Sequence, residues 1–283
     1  MSNTIVGELG DGEEPAWDAF VGDSADATFF HLSGWRRVMR DGLRRHTHYR
    51  VARRGQEIVG VLPLVHVRSP LFGSSLVSMG FCVYGGIVAR DAEAMQALAR
   101  DAVALGERLG VGHVELRHRL AQPVGWIEKS DLYATFRRPL LADEDGNLRA
   151  VPRKKRADVR KSLANSLRVD LSGDVDGFYR LYAYSLHNLG TPVWSKRYFQ
   201  AIQATFPDAT EISIVHGPEG PVAGLLAFYF KDQVLPYYGG AVPAARPLHA
   251  YDHMYWTLMC RAARRGQRLF DFGRSKRGTG AFE

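Results

Sequence analysis

Residues Phe270–Gly280 read FDFGRSKRGTG. Asp271 sits among alternating aromatics, and Arg274, Lys276 and Arg277 then enter a glycine-rich stretch. That order suits a strand end opening into a loop, where backbone N–H groups and guanidinium groups can meet a phosphate or a developing oxyanion. Asp271 can orient an amine, accept its proton, or pair with Arg274 as a structural ion pair. A second stretch, RKKRADVRK, carries six basic residues in the nine from Arg153 to Lys161. On a helix, Arg153, Arg156 and Arg160 share a face, and Lys154 lies with Lys161 on another; Lys155 completes the cluster. It reads either as a solvated face or as a surface for phosphate or RNA. No aromatic residue interleaves it, so single-strand base stacking is not indicated.

A third candidate is a repeat. YGGIV begins at Tyr84 and YGGAV at Tyr238. Glycines there permit close approach of a ligand, or a turn or bulge that merely packs tyrosines; Tyr237 and Tyr238 can stack on a substrate or donate a hydroxyl. The flanks extend the repeat. A β-rich apolar run containing Gly60 or Gly224 precedes each copy. An amphipathic helical pattern follows, over AEAMQALARDAVALGERLG and HAYDHMYWTLMCRAARRG, ending at Gly110 or Gly266. A short strand then carries a carboxylate, Glu115 or Asp271, 31 and 33 residues after the respective tyrosine. Four elements in the same order predict an internally duplicated α/β unit, with Tyr-Gly-Gly on a strand in both halves. The expected lobes are 1–145 and 146–283.

At 283 residues the chain can bury a core without staples, and 46% hydrophobic with 24% charged residues is an ordinary globular balance. Cys82 and Cys260 make no disulfide framework and read as buried thiols. The acidic N-terminus lacks the basic and apolar regions of a signal peptide, and the apolar runs are too short to span a bilayer, so a cytoplasmic location is expected. A net charge of +7 permits RNA, phosphorylated carriers or an anionic membrane as partners. No histidine or cysteine spacing resembles a metal site, and no Walker or dinucleotide fingerprint occurs, so neither a metal nor a tightly bound cofactor is expected.

The strings ATFFHLSGWRRV, GVLPLVHVRSPLFG, FCVYGG, NLGTPVWSKRYF, VLPYYGGAV, YDHMYWTLMCRAARRG and FDFGRSKRGTG resemble the FemAB-like branch of the GNAT acyltransferases. They look most like the FemAB-related proteins associated with exosortase (PEP-CTERM) and exopolysaccharide gene sets. The resemblance implies a tandem pair of GNAT-like lobes of mixed α/β sheets. It implies N-acyl transfer from aminoacyl-tRNA or acyl-CoA to an amine-bearing envelope or polysaccharide precursor, and it adds Asn188 and Thr191 as pocket-lining candidates. On this reading Asp271 and Tyr238 are catalytic, and Tyr237, Gly239, Arg274, Lys276 and Arg277 bind substrate. Relatives usually continue past Gly-Thr-Gly with an aromatic–lysine pair and Trp-Gly; this chain ends GTGAFE, so the expectation is either a truncated form or a second lobe whose substrate side is incomplete. Other classes compatible with the residues are a non-catalytic GNAT-like scaffold for polysaccharide assembly and an RNA-binding protein on a degenerate acyltransferase fold. Acyl transfer needs no covalent nucleophile, so the lack of a serine or cysteine triad does not argue against the enzyme. Chemistry is expected beside the second Tyr-Gly-Gly, since only that copy leads to FGRSKRGTG.

Overall fold

The computed structural model describes residues 3–278. The chain divides into two compact units, Met1–Tyr133 and Ala134–Glu283. The first contains β1 (Ile5–Glu8), α1 (Glu14–Asp23), α2 (Trp35–Arg37), β2 (His46–Arg54), β3 (Glu57–Ser69), β4 (Gly73–Ser78), β5 (Val88–Ala89), α3 (Ala92–Arg108) and β6 (His113–Glu115). The second contains β7 (Tyr133–Pro139), α4 (Glu144–Arg149), α5 (Arg153–Ala164), β8 (Arg168–Asp170), α6 (Val175–Asn188), α7 (Lys196–Thr205), β9 (Thr210–Gly217), β10 (Gly220–Phe230), β11 (Gln233–Ala241), α8 (Ala250–Arg264) and β12 (Leu269–Lys276).

The two sheets repeat one plan. The first runs β1-β2-β3-β4-β6, with β5 on the flank of β3. The second runs β8-β9-β10-β11-β12-β7. In each, four antiparallel strands are followed by a helix and a strand parallel to the last of them, β4 with β6 and β11 with β12. The crossover helix explains the switch, because parallel neighbours need a long connection where antiparallel ones need only a turn. Its apolar spacing and closing glycine are the signals read from sequence; its cap is not among them. In α3, Asp91 caps the helix by accepting from Ala94 N at 3.0 Å, and Ala94, Leu98, Ala102 and Leu105 are buried. Gly110 and Gly266 end α3 and α8 at φ +61° and +79°, a region that favours glycine.

Three expectations change. β7 joins the second sheet rather than the first lobe: Leu140 N donates to Arg268 O, and Arg137 on β7 pairs with Asp271 on β12. The segment FGSSLVS forms β4, a strand absent from the duplicated pattern proposed above. The first Tyr-Gly-Gly therefore falls after that strand, in a segment with no ladder, where Met79, Phe81 and Gly85 have φ +37°, +73° and +149°. Positive φ at non-glycine residues such as Met79 and Phe81 takes the backbone out of the β region. Only the second Tyr-Gly-Gly lies on a strand, β11.

The second core gathers Val215, Val222, Leu225, Val234, Met254, Leu258 and Phe270 between the sheet and α8. The other side of that sheet is covered by α6, whose residue Phe178 is fully buried.

Candidate active site

β11 and β12 are registered only at Gln233↔Leu269 and Val234↔Phe270, although β11 continues to Ala241 and β12 to Lys276. Beyond Val234 the two parallel strands part. Within this parting the ladder on the other side of β11 is broken too. Its register with β10 passes from Leu226↔Tyr238 to Ala227↔Pro236, skipping Tyr237. Pro236 cannot donate to a ladder, and the extra residue is accommodated as a bulge. Bulges next to a strand opening re-aim side chains and backbone groups, and they are over-represented beside active sites.

The bulge sorts the candidate residues by face. Tyr238 is buried, with its hydroxyl 3.0 Å from that of Tyr198 on α7. It packs edge-on against Phe199 and Tyr182. Gly240 shares that side: a Cβ there would lie 2.5 Å from Tyr182 Cα, so α6 crosses β11 with its backbone against this glycine. The physical demand on Gly240 is helix packing, not ligand approach. Gly239 lies on the opposite side, where a Cβ would meet Leu225, Met254 and Tyr251 at 3.5–3.9 Å, ordinary contact distances. Tyr237 is half-buried, with its ring against those of Phe228 and Tyr238.

α8 supplies the other wall, with residues the sequence reading did not single out for the site. Tyr255 stacks nearly parallel to Phe272 on β12, 6° between planes and 6.4 Å between centroids. Tyr251 and Tyr255 have their phenol pKa raised by burial, Tyr255 to about 12. The helical spacing of Tyr251, Met254 and Tyr255 was the available signal, and it reads as plain core without the strand opening beside it.

Asp271 is not on an open polar face. Its side chain is 4% exposed; it accepts from Gly273 N at 2.7 Å and lies 3.3 Å from Arg137 Nε. Arg137, from β7, is thus an ion-pair partner of this carboxylate. Phe272 takes the outward position instead, and Gly273 turns the strand at φ +72°. Arg274 is half-buried, and Lys276 and Arg277 are exposed at the end of β12; Thr279 and Gly280 of the same motif lie outside the described residues. Asn188 ends α6 and Thr191 follows it, both exposed.

The basic stretch forms α5, which packs on α8. Arg153, Lys154, Lys155 and Arg160 are exposed, and Arg156 is half-buried. Lys155 Nζ lies 3.2 Å from Asp252 and 3.6 Å from Asp158, so this charge is locally matched. Those two carboxylates and His249 are close enough to share a cation. The Lys155 ammonium already supplies positive charge there.

The first unit differs at the matching end. His118 follows β6 and lies across Gly86, its ring 2.2 Å from where a Cβ would sit. Its Nε2 accepts from Ile87 N at 2.9 Å, and burial lowers its pKa to about 4, so the ring is neutral. His31 closes the same place, with Nδ1 accepting from Thr28 N and Nε2 donating to Gly86 O at 2.9 Å. Gly85 N and Gly86 N both donate to Arg117 O. The cavity left among these groups is about 20 Å³, room for one water. A larger pocket, about 550 Å³, lies in the second unit at the end of the sheet away from the strand opening. Glu211 at its base is fully engaged by Tyr229, Arg261 and Arg265.

Residues 146–281 match the family model described as an acetyltransferase (GNAT) domain. No curated protein matches the chain in sequence. Among solved structures, FemX superposes with a TM-score of 0.72 at 15% identity, covering 99% of this chain and 90% of that one. A tandem GNAT protein from the clavulanic acid biosynthesis pathway superposes with a TM-score of 0.58 at 12% identity, over 99% and 91%. L-PGS from Bacillus licheniformis gives 0.53 at 15% identity, over 97% and 80%. The chain is a tandem GNAT-like fold, and its second unit carries the matched acetyltransferase domain.

Proposed function

We propose that the second unit transfers an acyl or aminoacyl group to a primary amine at the opening between β11 and β12. The observation that carries this reading is the coincidence of two departures from regular pairing. The strands part after Val234, and the β10–β11 ladder skips Tyr237. Parted strands offer backbone N–H groups without any side-chain donor, which suits a carbonyl oxygen that gains charge as the amine attacks. Gly239 and Tyr251 line the β11 side; Tyr255 and Phe272 give an aromatic wall on which a donor's apolar arm can lie. The amine attacks the carbonyl carbon, the bond to the donor's sulfur or oxygen breaks, one amine proton leaves to solvent, and the departing sulfur or oxygen takes up a proton from solvent or from a tyrosine hydroxyl. Asp271 acts as a positioning residue: held by Arg137, it fixes the Gly273 turn and thereby aims Arg274, Lys276 and Arg277 at donor phosphate.

The resemblance of the chain's motifs to the FemAB-like branch favours a donor–acceptor pair of the cell-envelope kind, with aminoacyl-tRNA or acyl-CoA as donor and an amine-bearing envelope or exopolysaccharide precursor as acceptor. The exposed part of α5, Arg153, Lys154 and Arg160, is the surface offered to a tRNA or nucleotide-linked donor. The test is transfer by the purified chain, supplied with acetyl-CoA or with charged tRNA and a mixture of amino sugars and amine-bearing peptides. Mass of the acceptor is the readout. Acyl gain with one donor supports the reading and names the donor. No gain, together with no binding of either donor, overturns it.

A further inference from the structure

The β3–β4 hairpin of the first unit projects beyond its sheet. The register closes at Ser69↔Gly73, leaving Pro70, Leu71 and Phe72 at the tip. Leu71 is 87% and Phe72 91% exposed. The tip is built to hold them there. Ser69 Oγ accepts from both Leu71 N and Phe72 N, at 3.3 and 3.2 Å, and Gly73 closes the turn at φ +77°. Two large apolar side chains on an ordered turn have no reason to face water on stability grounds.

The surrounding surface is basic. β2 begins at this same end of the sheet, since His46 pairs with His66. Residues 40–48 and 64–76 contain four arginines, Arg40, Arg44, Arg45 and Arg68, and one carboxylate, Asp41. Arg40 already pairs with Asp41 at 2.7 Å. Arg45 reaches across to Arg68 O at 3.2 Å, which brings β2 and the hairpin base together. Arg44 and Arg68 are exposed.

We propose that this hairpin tip docks the protein on an anionic lipid surface. Leu71 and Phe72 enter the boundary between headgroups and acyl chains, and Arg44, Arg45 and Arg68 face the lipid phosphates. An apolar pair ringed by cations matches the chemistry of that boundary, where burial and electrostatic attraction add. A protein pocket would bury the pair but would not call for one-sided positive charge around it. Because the tip uses only first-unit residues, this inference stands apart from the transfer reaction.

The test uses the full chain and sedimentation with vesicles, either phosphatidylglycerol-rich or pure phosphatidylcholine. The expected result is partition onto the anionic vesicles that falls with added salt. Leu71→Ser combined with Phe72→Ser lowers it by about tenfold or more, and Arg68→Gln lowers it by a smaller factor. Both sites are exposed, so urea unfolding of the variants matches wild type. A bimane label on Phe72→Cys blue-shifts with anionic vesicles; the two native thiols are buried. The proposal is overturned if wild type ignores anionic vesicles or if the double serine variant binds them equally well. It is also overturned if the tip substitutions instead dissociate an oligomer in lipid-free sedimentation, which would make the tip a contact between copies.

Discussion

His118 and Gly86 occupy one place in the first unit: the imidazole ring lies where any side chain at position 86 would begin, 2.2 Å from a Cβ. At the corresponding end of the second unit, Gly240 lies against the backbone of α6, and Gly239 faces the α8 residues Tyr251 and Met254. One repeated sequence thus serves two different close approaches. Gly86→Ala forces the ring out and breaks its bond from Ile87 N, costing about 1–3 kcal/mol of stability. Urea unfolding of Gly86→Ala, His118→Ala and the double variant checks this, because the double loss should be well below the sum of the single ones.

The same ring makes the first unit acid-sensitive. Its folded pKa of about 4 lies below the unfolded value near 6.5. Between those values the unfolded chain binds more protons, so stability rises with pH across the window and falls as pH drops through it. The contribution is roughly 2–3 kcal/mol, lost from pH 6.5 down to 4 and constant below. His48 and His66 are shifted the same way by burial and add to the slope; His253 does the same in the second unit. The stability difference between wild type and His118→Gln, measured from pH 7 to pH 4, should therefore shrink as the pH falls. A constant difference would place the His118 titration elsewhere.

The duplicated plan was legible because each half repeats local signals, an apolar helical spacing and a glycine stop after α3 and α8. β4 was missed because FGSSLVS has little apolar alternation; its strand character comes from β3 and β6 on either side. Asp271 was misplaced for a related reason. In Phe270-Asp271-Phe272 the alternation fixes two faces but not which one is covered, and Arg137, distant in sequence, provides the partner that lets a carboxylate go inside. The positive cluster was legible as a helix, but the pairing of Lys155 with Asp252 on α8 was not.

Gly239 and Gly240 separate packing from function. Gly240→Ala would push against Tyr182 Cα at 2.5 Å, where only backbone movement gives relief, and should cost about 1–3 kcal/mol. Gly239→Ala meets nothing closer than 3.5 Å and should leave stability within about 0.5 kcal/mol. On the proposed reading it narrows the donor site, so it should raise the apparent KM for the donor. Thermal unfolding and steady-state transfer on both variants distinguish the two glycines.

Glu211 anchors the far end of the second sheet. Its side chain is 6% exposed and accepts from Tyr229 at 3.0 Å, with Arg261 at 2.6 Å and Arg265 at 3.0 Å. Glu211→Ala leaves the buried Arg261 guanidinium without its anion, a change that costs about 3–5 kcal/mol. Glu211→Gln keeps the shape and one acceptor and should cost less. Since this network lies away from the strand opening, transfer by any folded fraction should keep its wild-type KM; a changed KM would tie the pocket beside Glu211 to substrate.

Asp271→Asn tests the positioning role. A carboxylate that is 4% exposed and held by Arg137 and the Gly273 amide is poorly placed to receive a proton from a bound amine. The amide keeps one acceptor for Gly273 N but gives up the charge that Arg137 pairs with, so a loss of about 1–3 kcal/mol in stability is expected. Transfer should fall through donor affinity, as Arg274 and Lys276 lose their fixed approach, with the pH profile of kcat unchanged in shape. Arg137→Gln should reproduce the same KM effect from the other side of the pair. Loss of the acid limb of the kcat profile in Asp271→Asn, with KM intact, would instead make Asp271 the proton acceptor and overturn the positioning role.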